Sequence, residues 1–422
     1  MSKLTIVFTC NEKFFVHLTT VISSLLANRK STKYEIVVLG RNFTKAQSDW
    51  LKKFVREQSQ GECFLNLFEM SYELDSQGLR NIVLSRYFSI DCFSRLYIPS
   101  IIDLNLLGSD RVLYLDCDML VLDDLGCMNE IDFEGKFFAV VGDFDIRDRY
   151  LSMLVGWNSE NVNYYRNHFR HIKNLGLDSM LDYFNSGMVL FNLKAIHESG
   201  VDKGFLVHSM IKRQYLTFPD QDVLNIEGKR YGGVKYLPLH FNMPQFKTYF
   251  RLDDFYNPNN DHLYFPLNDK AYRTGTEPVP DYLQFLQPEE QEIDLGYETL
   301  HAEKLSAAAS YYQADYQSEL PEQVDADYVN FKDPHNVTMN KEDYTKHLEQ
   351  IRELAQATLA SYCTLVPSEL EAFIDRSKLE KVKVLHFIGT KPWQEKNFTI
   401  PYHLYHKYLK QAQIPPELIP KD

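Results

Sequence analysis

The sequence lacks several things, and each lack excludes something. No stretch of about 18 apolar residues occurs, which argues against a membrane-spanning helix. The first residues, "MSKLTIVFTC", have no basic segment leading into a long apolar one, so no secretory signal is expected. The six cysteines (10, 63, 92, 117, 127 and 363) form no CxxC pair and mostly sit among apolar neighbours. A disulfide framework does not fit that pattern, and a reducing cytoplasm does. Without a secretory route, the "NVT" at 336 and "NFT" at 397 carry no weight as glycosylation sites. Basic charge is also short: the net charge is −13, which disfavours a general nucleic-acid binder.

Aromatic content is high, with 27 Tyr and 28 Phe, a composition that suits carbohydrate-handling surfaces and thick cores alike. The first 70 residues have a regular rhythm. "LTIVFTC" (4–10) and "YEIVVLG" (34–40) are short, continuous and β-branched, as buried strands are, and "CFLNLFEM" predicts a third. Between them, 15–29 and 44–58 place apolar residues at helical spacing, the second with Thr44 as N-cap. Strand–helix alternation predicts an α/β fold with a largely parallel sheet, whose ligands bind beyond the strands' carboxyl ends. "RVLYLDCDMLVL" predicts a further central strand, 182–196 a strand then a helix, and 218–228 a loop entering a helix.

Composition shifts after residue 250. Between 251 and 380 stand about 26 acidic against about 10 basic side chains, so the remaining chain is near +3. This gives four expected units: a catalytic core (1–250), an acidic, mostly helical insertion (251–380), a segment completing the core (381–400) and a tail (401–422). A helix is expected at 341–363, and the Pro/Glu-rich first half of the insertion has a composition equally compatible with disorder. The insertion is placed to bind an acceptor or to pair two copies as a homodimer. The tail's "PYHLYHKYLK" suits either an interfacial segment touching an anionic membrane peripherally or a solvated helix.

The chemistry-bearing pattern is "YLDCDMLVL". On a regular strand, Asp116 and Asp118 share one face. Two carboxylates that close repel unless a cation or donors lie between them. A divalent ion at a strand end is one solution, with hard oxygen ligands suiting Mg²⁺ or Mn²⁺. A turn-and-cap role is the other, as for Asp123 and Asp124.

"FNSGMVLFNL", "FPDQDVLN", "LPLHFNM" and "LHFIGTKPW" follow the DxD in that order. Together these motifs closely resemble the retaining glycosyltransferases of family 8, which include glycogenin and bacterial lipooligosaccharide galactosyl- and glucosyltransferases. The resemblance covers 4–245 and 382–393. It implies a GT-A fold with a Rossmann-like mixed sheet, a UDP-sugar donor (UDP-glucose or UDP-galactose) and Mn²⁺ dependence, with Mg²⁺ as substitute. It also implies a glycan, glycolipid or glycoprotein acceptor and no nucleic-acid partner. A cytoplasmic place follows, with the inner face of the membrane as a peripheral site.

Carried over by residue, the resemblance gives Asp116, Asp118 and His386 as metal ligands, with Asp116 also on the donor side. Gly389 and Lys391 would face the diphosphate; the His-to-Lys spacing is one residue shorter than in some bacterial members. Thr9, Asn11 and Phe14 would face the nucleoside, with Lys13 standing where those members often carry Asn. Arg95 would lie over donor sugar and phosphates, a place suited to its planar, permanently charged fork. Asn185 and Asp220 would contact sugar hydroxyls, and Gln221 would lie beneath the anomeric carbon. Asp222 opens the next helix, where a capping role is open. The implied reaction is hexosyl transfer with retention. Nucleotide-sugar binding without transfer is one rival. A nucleotidyltransferase is the other, although "TCNEKFF" has neither the Gly-rich nor the basic loop of that class.

Overall fold

In the computed structural model of the chain, the residues described are 3–70, 90–102, 109–144, 146, 171–172, 174–177, 182–200, 216–245, 256–266, 379–394 and 399–420. The expected helix at 341–363 and most of the 251–380 segment lie outside them. Among the described residues, no helix is long and apolar enough to cross a membrane.

The opening rhythm folds as the alternation predicts. Strands β1 (Lys3–Asn11), β2 (Lys33–Arg41) and β3 (Phe64–Glu69) run parallel, with helices α1 (Phe15–Ala27) and α2 (Lys45–Gln58) crossing between them. Thr44 begins α2 with a reciprocal cap: its hydroxyl accepts from the Gln47 amide while the Gln47 side chain accepts from the Thr44 amide. A 3₁₀ turn (Ile90–Tyr97) and the one-turn helix α3 (Ile98–Ile101) lead to β4 (Arg111–Leu115). Beyond it come β5 (Met119–Val121), β6 (Phe138–Gly142) and β7 (Phe184–Asn192). Helices α4 (Leu193–Ser199) and α5 (Pro219–Arg230) follow, then strands β8 (Lys235–Tyr236) and β9 (Met243–Pro244). The main sheet has the order β3-β2-β1-β4-β7-β6-β8, and only β7 runs against its neighbours.

β1 reads as an unbroken apolar run because both its faces are buried. Leu4, Ile6 and Phe8 face the layer holding α1 and α2; Val7 faces the layer holding α5 and the 3₁₀ turn. α6 (Ile400–Ala412), within the segment expected as a tail, packs on α1 and buries Leu404, Tyr405 and Tyr408. Asn28, just past α1, donates to Val121 O at 2.9 Å and to the Tyr408 hydroxyl at 2.8 Å. The end of α1 thereby holds β5 and α6 together.

The 251–380 segment enters through β10 (Tyr256–Asn257) and β11 (His262–Pro266) and returns through β12 (Leu379–Lys381). β11 and β12 are antiparallel partners, Tyr264 opposite Lys381, so the described ends of the segment meet as a strand pair. The returning chain continues into β13 (Val384–His386).

One expectation fails here. Residues 111–122 do not form a single strand. β4 stays in the main sheet, whereas β5 joins a small sheet in the order β5-β13-β9. Asp116, Cys117 and Asp118 occupy the turn between β4 and β5, so their shared orientation comes from that turn. Apolar residues on both sides of the aspartate pair, with no Gly or Pro between them, conceal such a change of sheet.

Glu227, fully buried in α5, has its carboxyl pushed up from 4.5 to about 7, because burial outweighs the attraction of Arg230. Between those values the folded chain holds a proton that the unfolded chain has released, so stability falls as pH rises from about 4.5 through 7. A Glu227→Gln variant is expected to flatten that slope and to exceed the wild type by about 2–3 kcal/mol at pH 8. Urea unfolding at pH 5 and pH 8 checks it.

Candidate active site

The site lies where the fold gathers its strand ends. β1 ends at Thr9–Asn11, Asp116 follows β4 and Asp143 follows β6; β7 begins here, and α5 points its first turn inward. The small sheet then brings His386, from far along the chain, opposite Met119. Phe387 N donates to Asp118 O at 3.0 Å, which sets the approach.

One ligand atom each from Asp116, Asp118 and His386 falls within a 4.8 Å cluster. Asp118 Oδ1 is buried and accepts no hydrogen bond from the described residues, although His386 Nε2 lies 3.3 Å away. Two hard carboxylates, an imidazole nitrogen and an unsatisfied buried oxygen fit a divalent cation. The three residues chosen from the sequence as metal ligands are therefore the ones the fold brings together. Lys391 Nζ pairs with Asp118 Oδ2 at 2.6 Å. Burial alone would raise the Asp118 carboxyl, but Lys391 and His386 outweigh it and hold the group well below the ordinary carboxylate range. Burial wins at Asp116 and Asp220, whose carboxyls are raised despite the nearby guanidinium of Arg95.

Arg95 is buried and uses its whole fork. Nη2 meets Asp116 Oδ1 at 2.9 Å, Nε meets Asp220 Oδ2 at 3.0 Å, and Nη1 donates to Ser186 O and Oγ, both at 3.0 Å. It thus ties the metal-ligand turn to the first turn of α5. Its guanidinium lies over the Tyr114 ring, 4.7 Å from the centroid. Tyr114 in turn donates to Asp116 Oδ1 at 2.5 Å and is contacted by the Thr9 hydroxyl at 3.2 Å. Thr9 thus lies beneath Asp116, within this network.

Asn11 caps a short 3₁₀ turn (Glu12–Phe14) after β1 by accepting from Lys13 N at 3.0 Å, and Phe14 is 40% exposed, edge-on to His17. Gly389 has φ +75°, the left-handed region where a side chain is strained, in the turn carrying Lys391. His17 stacks on Trp393 at 3.7 Å and meets the Tyr405 hydroxyl at 2.7 Å, which fixes the end of the "TKPW" turn. His17 went unnoticed in the sequence because it sits on a helix face that reads as core.

At the start of β7 the pairing with β6 shifts between Val140 and Val141, from Val189 to Asn185. The extra residues, Ser186 to Met188, form a bulge that re-aims the "FNSG" motif. A Cβ at Gly187 would come within 2.5 Å of the His386 ring and 2.8 Å of the Met119 side chain. Gly187→Ala is expected to push the imidazole aside and weaken divalent-cation binding about tenfold or more, measured by calorimetry, with the far-ultraviolet spectrum unchanged.

Asp143, at the end of β6, and Asn242, before β9, were not singled out from the sequence. Asp143 carries the signal that Asp116 carries, an acid ending an apolar strand; Asn242 lies within "LPLHFNM". Asp143 Oδ2 accepts from Asn185 Nδ2 at 3.3 Å and from Gln221 Nε2 at 3.1 Å. Gln221 Oε1 accepts from Ser186 N at 3.0 Å. Asp222 is more than a helix cap. It accepts from Tyr183 OH at 2.5 Å and from the Thr217 and Phe218 amides at 2.7 and 2.8 Å, and it pairs with His171 Nε2 at 3.0 Å.

The strand ends of this mixed sheet thus collect two aspartates, a distant histidine, a lysine and an arginine. Residues 5–261 match the model of glycosyl transferase family 8, and the chain belongs to that family. It is 24% identical over 284 residues to a lipopolysaccharide 1,2-glucosyltransferase of Escherichia coli, covering 65% of this chain and 73% of that protein. The enzyme of the same name from strain K12 is 22% identical over 222 residues, 52% of this chain; the match spans 56% of that relative's length. Among solved structures, the galactosyltransferase LgtC, determined with donor and acceptor sugar analogues, superposes with a TM-score of 0.52 at 17% identity, covering 98% of both chains. That likeness concerns the fold.

Proposed function

We propose that the chain transfers a hexose from UDP-glucose or UDP-galactose to a hydroxyl of a glycan acceptor, free or carried on lipid or protein, with retention at the anomeric carbon. The observation that carries this reading is the convergence of Asp116, Asp118 and His386, with Lys391 beside them. Those three residues would hold Mn²⁺, or Mg²⁺ in its place. When bound, the ion supplies Lewis-acid neutralisation of charge on the leaving diphosphate. Lys391 adds fixed positive charge to the same region, as preorganised electrostatics require.

The side chains favour front-face substitution. The acceptor oxygen bonds to the anomeric carbon as the bond from that carbon to the diphosphate oxygen breaks on the same face. The acceptor proton passes to the departing diphosphate, giving the glycoside and UDP. A double displacement needs a free carboxylate nucleophile. Asp220 is tied to Arg95 and Ser186 Oγ, Asp222 is held by four groups, and Gln221 is a neutral amide. Gln221 stabilises the cationic sugar through its carbonyl oxygen.

UDP release from a panel of UDP-sugars, with Mn²⁺ or EDTA and with glycan acceptors, tests the proposal. The expected result is metal-dependent UDP release coupled to an α-linked product from one hexose donor. Binding without turnover, or pyrophosphate formation from UTP and a sugar phosphate, would replace it with one of the two rival classes.

A further inference from the structure

A continuous chain of amides runs from Asp143 to His386. Asn185 Nδ2 donates to Asp143, Asn185 Oδ1 accepts from Asn242 Nδ2 at 3.0 Å, and Asn242 Oδ1 lies 3.0 Å from His386 Nδ1. The ends fix its polarity. The Gly187 amide, which can only donate, faces Asn185 Oδ1 at 3.0 Å, and the Asp143 carboxylate faces Asn185 Nδ2. Asn185 therefore has one orientation, Asn242 has one orientation, and His386 Nδ1 faces an acceptor. His386 Nδ1 therefore donates to Asn242 Oδ1, which fixes the ring and turns Nε2 toward Asp118 Oδ1 at 3.3 Å.

We infer that Asp143 and Asn242 are positioning residues that fix the His386 ring through its Nδ1 hydrogen bond, presenting Nε2 to the divalent ion. Asp143 also holds Gln221, so one carboxylate orients both the sugar-facing amide and the metal-facing imidazole. The inference rests on the proposed metal site. Partners of this kind beyond the ligands are worth about 10–100-fold in metal affinity.

Mn²⁺ affinity, measured by electron paramagnetic resonance without donor, tests it, so that the readout is binding and not turnover. Asn242→Leu and Asp143→Ala should weaken Mn²⁺ binding about 10-fold or more. Asn242→Asp still offers an acceptor to Nδ1 and should bind Mn²⁺ close to the wild-type affinity, which also guards against a leucine variant that fails to fold. Unchanged affinity in both disrupting variants would overturn the inference. A wild type that takes up no Mn²⁺ would instead overturn the proposed function on which the inference rests.

Discussion

Replacing Asp118 with asparagine is expected to cut sugar transfer about a thousandfold or more while leaving the fold intact. The carboxylate sits between His386 Nε2 and the Lys391 ammonium, with one oxygen unsatisfied. Asparagine keeps the shape and can still accept from Lys391, so the turn between β4 and β5 should survive. It removes the charge that would neutralise a cation and offers a weaker ligand. A thousandfold is about 4 kcal/mol of transition-state stabilisation, within the range for Lewis-acid and electrostatic terms. UDP release with saturating Mn²⁺ checks it, and a variant keeping a tenth of wild-type activity would show that Asp118 holds no metal.

The second large effect concerns stability. Arg95→Met is expected to destabilise the chain by about 3–5 kcal/mol at neutral pH, because it leaves the buried Asp220 and the half-buried Asp116 carboxylates without their shared guanidinium. Asp116 and Asp220 are raised by burial even with Arg95 in place, and without it both move higher. A carboxyl raised in the folded state gains a proton on folding, and stability falls as pH rises through its range. The deficit of the variant should therefore shrink as pH is lowered toward 4 and widen toward 8. Urea midpoints across that span measure it. A deficit independent of pH would mean that the loss is packing against Tyr114 rather than charge.

Much of this site was legible because its parts are local signals. An apolar strand that stops at a carboxylate can be read at Asp116 and Asp118, and a histidine followed by Gly, Lys, Pro and Trp can be read at His386. The opening parallel strands were legible for the same reason, since burial on both faces leaves a continuous apolar run. What could not be read depends on pairing across the chain. β4 and β5 look like one strand until β13 arrives, from far along the chain, to take β5 into another sheet. Arg95 was expected to lie over the donor, and its own partners, Asp116 and Asp220, sit on elements that only the fold makes neighbours. Asp143 and Asn242 were overlooked because their importance lies in what their amide and carboxylate atoms face. Gly187 was visible within "FNSG", but its reason, the His386 ring against its backbone, is a contact between distant parts of the sequence.

The central claim is that three side chains far apart in sequence grip one divalent ion that in turn holds a diphosphate. A crystal of the protein soaked with Mn²⁺ and UDP, measured at the manganese absorption edge, tests it most directly. The account predicts an anomalous peak within roughly 2.0–2.4 Å of a carboxylate oxygen from each of Asp116 and Asp118 and of His386 Nε2, with diphosphate oxygens completing the shell. A peak elsewhere, or a diphosphate bound by Lys391 with no anomalous signal beside His386, would contradict it.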